Sequence, residues 1–339
     1  MIELLQLPEE RKRAFIAETA TETGMTEKAV EKDWWVTLVL RAIFTLPMAE
    51  HFVFKGGTSL SKGWGLIERL SEDIDIALAP EAFDREYRLT PTHSYVKTLK
   101  REGTAYTSTV IADAMHAKLL EMGVPDILFS LSVTLIPPTR PDTDPQTVLV
   151  HYVSLYPANK YIADTVKVEF GVRALKEPFA DVSITSEIGR HIRVISYTEQ
   201  PFSVRAVLPE KTLIEKLLLL HEKFTGGEPE QIKIAERQSR HLADIVRLKQ
   251  KGLHTKIIAD PTLFEAIIVH RRHYIRLRGV DYDQMTMESL QIVPPPAAEA
   301  KFREDYAVMQ EEMIYGEAPD FNTILAELKE LTQLLQQNL

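Results

Sequence analysis

Residues 54 to 78 read FKGGTSLSKGWGLIERLSEDIDIAL, and this stretch limits the possible folds more than any other. HFVFKGG is a short strand running into a turn, SLSKGWGLIERL has helix-like spacing, and DIDIAL alternates with the period of a half-buried strand. Side chains two apart on a strand share a face and lie about 6.5–7 Å apart. Asp73 and Asp75 therefore project together, while Ile74 and Ile76 turn to the core. Two carboxylates held this way repel each other unless a cation lies between them, and hard oxygen ligands suit Mg²⁺ or Mn²⁺. Gly56 and Gly57 permit positive φ and close backbone approach, so the amides that follow and the Thr58 and Ser59 hydroxyls can hold phosphate oxygens. A lone D-x-D is usually a solvated strand edge. Its coupling through one helix to Gly-Gly-Thr-Ser is the specific signal.

Other candidates keep two readings each. In DTVKVEF, Val166, Val168 and Phe170 share one face and Lys167 and Glu169 the other. Glu169 is either a third acid for the same metal or half of a cross-strand ion pair. Lys216 lies inside LIEKLLLL: it reaches a triphosphate, or it lays its stem on apolar surface with its head in water. Asp244 follows Arg240 by four residues, the spacing of a simple helical ion pair.

The rest of the chain divides by period. Thr26 is a candidate N-cap for the helix TEKAVEKDWWVTLVLRAIFTL, in which Val30, Trp34, Leu38 and Val39 make a buried stripe. DILFSLSVTLI, TVLVHYVSLY, DTVKVEFGV and HIRVISY are further strand candidates. From about Pro209 the pattern turns helical, which places a boundary near residue 205: an α/β domain over residues 1–205 and a helical domain over 206–339. At 339 residues and 45% hydrophobic, the chain can bury a core of that size. Lys plus Arg number 40 against 49 Asp plus Glu, a net charge of −9, which argues against a generally nucleic-acid-coating protein but leaves room for a local basic groove. HRRHYIRLR, residues 270–278, offers one, or is a solvated basic helix face. Without cysteine there is no thiol catalysis, disulfide or cysteine-zinc site. No signal segment or membrane span is evident, so a cytoplasmic protein is expected.

FKGGTSLSKGWGLIERLSEDIDIAL resembles the signature of the AbiEii/AbiGii (MenT-like) toxin family, in the DNA polymerase β-like nucleotidyltransferase superfamily. Lys55, Gly56, Gly57, Thr58, Arg69, Ser71, Asp73 and Asp75 match the family pattern, with Leu70 in place of its phenylalanine. EKDWWVTLVL is similar to the helix that precedes the motif, VKVEF to the third-acid strand, LIEKLLLL to the lysine helix and RHLADIVRL to the Arg-Asp-x-x-Asp helix. The last departs from the pattern, since Arg240 is followed by His241. The resemblance implies a minimal nucleotidyltransferase α/β (α+β) core with a mixed sheet, plus a helical C-terminal domain. It implies catalysis by Asp73, Asp75, Glu169, Lys216 and Asp244, with Mg²⁺ or Mn²⁺ on Asp73, Asp75 and Glu169. Nucleoside triphosphate binding falls to Lys55, Gly56, Gly57, Thr58, Ser59, Arg69, Ser71 and Lys216. The implied acceptor is RNA, at the tRNA 3′ end, with a cognate antitoxin as partner. Modification of a protein side chain, or a non-catalytic binding module, are the alternatives.

Overall fold

The computed structural model describes the whole chain except residues 138, 141, 158–161, 195–196, 227–236 and 338–339. The chain forms two compact units. The first holds residues Met1–Trp64, Leu70–Arg88 and His93–Val207; the second holds Gly65–Arg69, Leu89–Thr92 and Leu208–Leu339.

The first unit is built on a seven-stranded mixed sheet of order β3-β4-β5-β2-β1-β7-β6. Its strands are β1 (Phe52–Lys55), β2 (Asp73–Leu78), β3 (Phe129–Val133), β4 (Gln146–Tyr152), β5 (Thr165–Gly171), β6 (Phe179–Ile184) and β7 (Phe202–Val207). β2 runs antiparallel to β1 and parallel to β5. Period-two alternation buries Phe52, Phe54, Ile74, Ile76, Val168 and Phe170 on one face. The helix Glu27–Phe44 packs on that face, with Trp35 stacked on Tyr152 at 4.9 Å. Thr26 caps this helix as expected, accepting from the Ala29 N–H at 3.2 Å.

Two local expectations change. SLSKGWGLIERL forms only short helical turns over Gly56–Thr58 and Ser59–Gly63, and no helix continues through residues 65–72. Positive φ at Gly65 ends the coil, and residues 65–69 join the second unit. Residues 195–196 of HIRVISY lie outside the described residues; of the rest, the helix Glu187–His191, capped by Ser186, takes the start, and Val194 and Tyr197 form an isolated bridge. Strands β6 and β7 lie instead in segments with weak alternation, FADVSI and FSVRAV.

The second unit is helical among its described residues. It comprises Pro209–Thr225, Arg240–Gln250, Leu253–Ala259, Thr262–Tyr274, Pro296–Glu312 and Phe321–Gln337, with an isolated bridge between Arg69 and Ile314. Proline at the first position of Pro209–Thr225 costs no hydrogen bond, because that N–H has no intrahelical acceptor. Among the described residues, no helix is long and apolar enough to cross a membrane.

Candidate active site

In the first unit, sheet register brings the acids together. Asp75 pairs with Lys55 of β1 on one side and with Glu169 of β5 on the other. Asp73 pairs with Lys167. Since paired residues share a face, Asp73, Asp75, Lys167 and Glu169 all stand opposite the apolar face. Lys167 forms an ion pair with Glu169 at 2.8 Å. Even so, burial holds the Glu169 carboxyl above its usual range, reinforced by Asp75 and Asp73 and opposed by Lys167. Burial opposes the Lys167 ammonium too, but its bond to Glu169 and the nearby aspartates outweigh that and raise its pKa.

The Gly-Gly turn presses on the same row. Gly56 has φ +79°, and a Cβ placed there would meet Asp75 Oδ2 at 2.2 Å. Only glycine fits both the conformation and the approach. Thr58 and Ser59 are buried and their hydroxyls are engaged within the turn. Thr58 Oγ1 is 2.8 Å from Ser71 Oγ and also donates to the Asp73 carbonyl, while Ser59 Oγ donates to the Gly56 carbonyl at 2.9 Å. In this geometry the hydroxyls brace the loop, and Gly56 and Gly57 present backbone rather than side chains.

Charged residues in the helix Glu27–Phe44, which sequence reasoning left without a role, hold this arrangement. Asp33 pairs with buried Lys62, just beyond the Gly-Gly turn, and accepts from the Glu187 N–H at 2.8 Å. Lys32, 1% exposed, donates to the Ala163 and Thr165 carbonyls and pairs with Glu72 at 3.3 Å, beside Asp73. The available signal was Glu31-Lys32-Asp33 standing in front of Trp34-Trp35. Charges that interrupt an apolar stripe are rarely buried without a partner.

Could these residues hold a metal? The donors are all carboxylate oxygens, which suit Mg²⁺ and Mn²⁺, and Glu169 is raised first by burial and then by the two aspartates beside it. Yet among the described residues no three His, Cys, Asp or Glu are already gathered as a metal-holding group. The three acids share a face by register without forming a closed cage.

The second unit contains a different cluster. Asp244, 1% exposed, accepts from Arg69 Nε and Nη2 at 2.8 Å each and pairs with Lys216 at 2.9 Å. Burial alone would raise the Asp244 pKa, but Arg69 and Lys216 drive it far below the usual carboxylate range. Burial lowers the Lys216 pKa, with Asp244 opposing. Lys216 is therefore no snorkelling lysine, and Asp244 has partners far beyond its own helix. His241 Nδ1 lies 3.5 Å from Lys216 Nζ, and burial, with Lys216 and Arg240 nearby, holds its pKa well below the usual imidazole range. At this departure from the family pattern, position 241 brings an imidazole rather than a carboxylate beside Lys216.

The run at residues 270–278 is divided: Arg276 and Arg278 are exposed, while its first half is engaged within the fold. Arg271 is committed to Glu222, Arg272 pairs with Asp283 at 2.7 Å, and Tyr274 is buried against His270.

Residues 38–327 match the family described as nucleotidyl transferase AbiEii toxin, type IV toxin–antitoxin system. No individually curated protein matches the chain. The match spans the acid strands, the Gly-Gly turn, the Lys216 helix and the Asp244 helix, so the geometry above and the family description bear on the same residues. The chain belongs to the AbiEii family and is a nucleotidyltransferase of the toxin class of toxin–antitoxin systems.

Proposed function

We propose that this nucleotidyltransferase is metal-dependent and transfers a nucleotide from a nucleoside triphosphate to RNA, with the 3′ end of tRNA as acceptor. The single observation carrying the metal requirement is the row Gly56–Asp75–Glu169, where a glycine backbone abuts one acid and a second acid stands beside it. Asp73, Asp75 and Glu169 would hold Mg²⁺ or Mn²⁺. Bound divalent ions would supply charge neutralisation at the attacking and leaving oxygens.

The remaining roles belong to the chain's own residues. Gly56 and Gly57 let the triphosphate approach the backbone, Lys55 and Lys167 supply positive charge along the row, and Ser71 with Thr58 and Ser59 keeps the turn rigid. In the second unit, Arg69 and Lys216 are the proposed nucleotide-binding cations and Asp244 is the acid that holds both of them. In the reaction, the acceptor hydroxyl bonds the α-phosphorus, pyrophosphate departs, and the hydroxyl proton passes to solvent or a nearby base. Membership in a toxin–antitoxin family also argues for a cognate antitoxin as partner.

The test is incubation of the full chain with α-labelled nucleoside triphosphates and a cell extract, with and without chelator. Label that survives protease, disappears with ribonuclease and requires Mg²⁺ or Mn²⁺ is the expected result. Label that survives ribonuclease but not protease would move the acceptor to a protein side chain. Transfer undiminished by chelator would refute the metal assignment.

A further inference from the structure

Strand β3 ends the sheet, and among the described residues no strand pairs with its outer edge. Its inner edge is laddered to β4: the Val153 N–H donates to the Leu128 carbonyl at 2.9 Å and the Thr134 N–H to the Thr147 carbonyl at 3.0 Å. With Ser130 opposite His151 and Ser132 opposite Leu149, the even-numbered residues turn their backbone groups toward β4. Phe129, Leu131 and Val133 must therefore aim N–H and C=O outward.

Proteins usually blunt such an edge with lysine, proline or an inward charge. Here residues 127–136, ILFSLSVTLI, carry neither charge nor proline in a chain of net charge −9. The opposite edge of the sheet, β6, does carry a charge, Asp181. Nothing on β3 discourages another strand.

We propose that β3 pairs antiparallel with β3 of a second copy of this chain, about a two-fold axis at Leu131, to form a homodimer with a continuous sheet. In that register Leu131 faces the partner's Leu131, and Phe129 faces the partner's Val133. These are the residues whose backbone groups point outward, so the register yields about six backbone hydrogen bonds with none misdirected. Ile127, in the helical turn Asp126–Leu128 just before β3, and Leu135, just past its end, then flank the pairing at each end. At 85% and 92% exposed, these are the two most exposed large apolar side chains among the described residues. A single two-fold contact covers both of them twice. Val153, 58% exposed at the end of the same ladder, and Leu120, 40% exposed on the helix Ala112–Glu121 that packs on β3, extend the apolar rim. A segment of an unrelated protein could also add to this edge. The mirrored spacing of Ile127 and Leu135 about Leu131 selects a second copy. Two-fold pairing uses each β3 edge once, so assembly at this edge stops at the dimer.

The even positions allow a register-specific test. Ser130 would face the partner's Ser132 in a non-hydrogen-bonded pair, where side chains approach closely. S130K/S132K sets lysine against lysine twice, whereas S130K/S132E sets lysine against glutamate twice. Both variants lose the 2.8 Å contact between Ser132 and His151, so the difference between them reads the interface. Sedimentation equilibrium of the full chain from about 1 to 200 µM suits the weak affinity of a small interface. The expected outcome is a mass rising from monomer to dimer. S130K/S132K should weaken association at least about tenfold, with S130K/S132E recovering most of the loss. Monomer throughout would overturn the proposal, as would a dimer indifferent to S130K/S132K. Equal weakening by the two variants would overturn the register.

Discussion

Two charged clusters, one in each unit, solve opposite electrostatic problems. On the face of β2 and β5, three carboxylates crowd together, and the Glu169 pKa rises despite an ion pair with Lys167. Around Asp244, one carboxylate is shared by two cations and its pKa falls. In the first, burial and neighbouring like charges outweigh the ion pair; in the second, two cations outweigh burial. On the proposed function, Asp75 serves the chemistry and Asp244 holds Arg69 and Lys216 in place, although both are aspartates in family motifs.

The same substitution should therefore break the two clusters differently. Asp244→Asn leaves Arg69 and Lys216 buried beside a neutral amide, a loss of about 3–5 kcal/mol that thermal unfolding would show as a large fall in Tm. Stability from Asp244 should persist at all pH values above the ordinary carboxylate pKa and fade only as strong acid reaches its depressed pKa, because the folded pKa lies below the unfolded one. Asp75→Asn should instead leave Tm close to wild type while reducing transfer at least about a thousandfold. Expressed without an antitoxin, wild type should arrest growth and Asp75→Asn should not. Equal arrest by both at matched expression would detach toxicity from this site.

Gly56→Ala sharpens the same distinction at intermediate cost. The methyl group would need a left-handed conformation, at about 1–2 kcal/mol, and would displace Asp75 Oδ2. Transfer should drop sharply while unfolding remains cooperative. Lys216→Ala removes one of the two cations beside Asp244, but bidentate Arg69 remains, so a stability loss of about 1–3 kcal/mol is expected. Nucleotide titration of the folded variant then decides its role: unchanged affinity would confine Lys216 to structure.

The smallest effect concerns Glu169. Its folded pKa is raised, so its contribution to stability is present below the ordinary glutamate pKa and lost as pH rises through the raised value. Tm should fall modestly across that window in a chelator. Mg²⁺ should restore it at the upper end by binding the ionised site more tightly than the protonated one. Glu169→Gln should flatten both responses without lowering Tm at neutral pH. If Mg²⁺ shifts wild type and Glu169→Gln alike, Glu169 is not a ligand.

Sequence alone determined the local chemistry of the first unit. Alternation put Asp73 and Asp75 on one face and Lys167 and Glu169 on one face, because a strand repeats every two residues wherever it is placed. The Thr26 cap and the Gly-Gly turn were legible for the same reason: each depends on residues within one turn of chain. Tertiary structure alone decided which strands are neighbours, and so that Glu169 stands beside Asp75 rather than elsewhere in the sheet. It decided that Arg69, 175 residues before Asp244, is that acid's main partner, where the i,i+4 spacing had offered Arg240. It also turned Thr58, Arg271 and Tyr274 inward. Pattern and spacing act over a few residues, but charge pairing and burial depend on distances in space, and these exist only once the chain has folded.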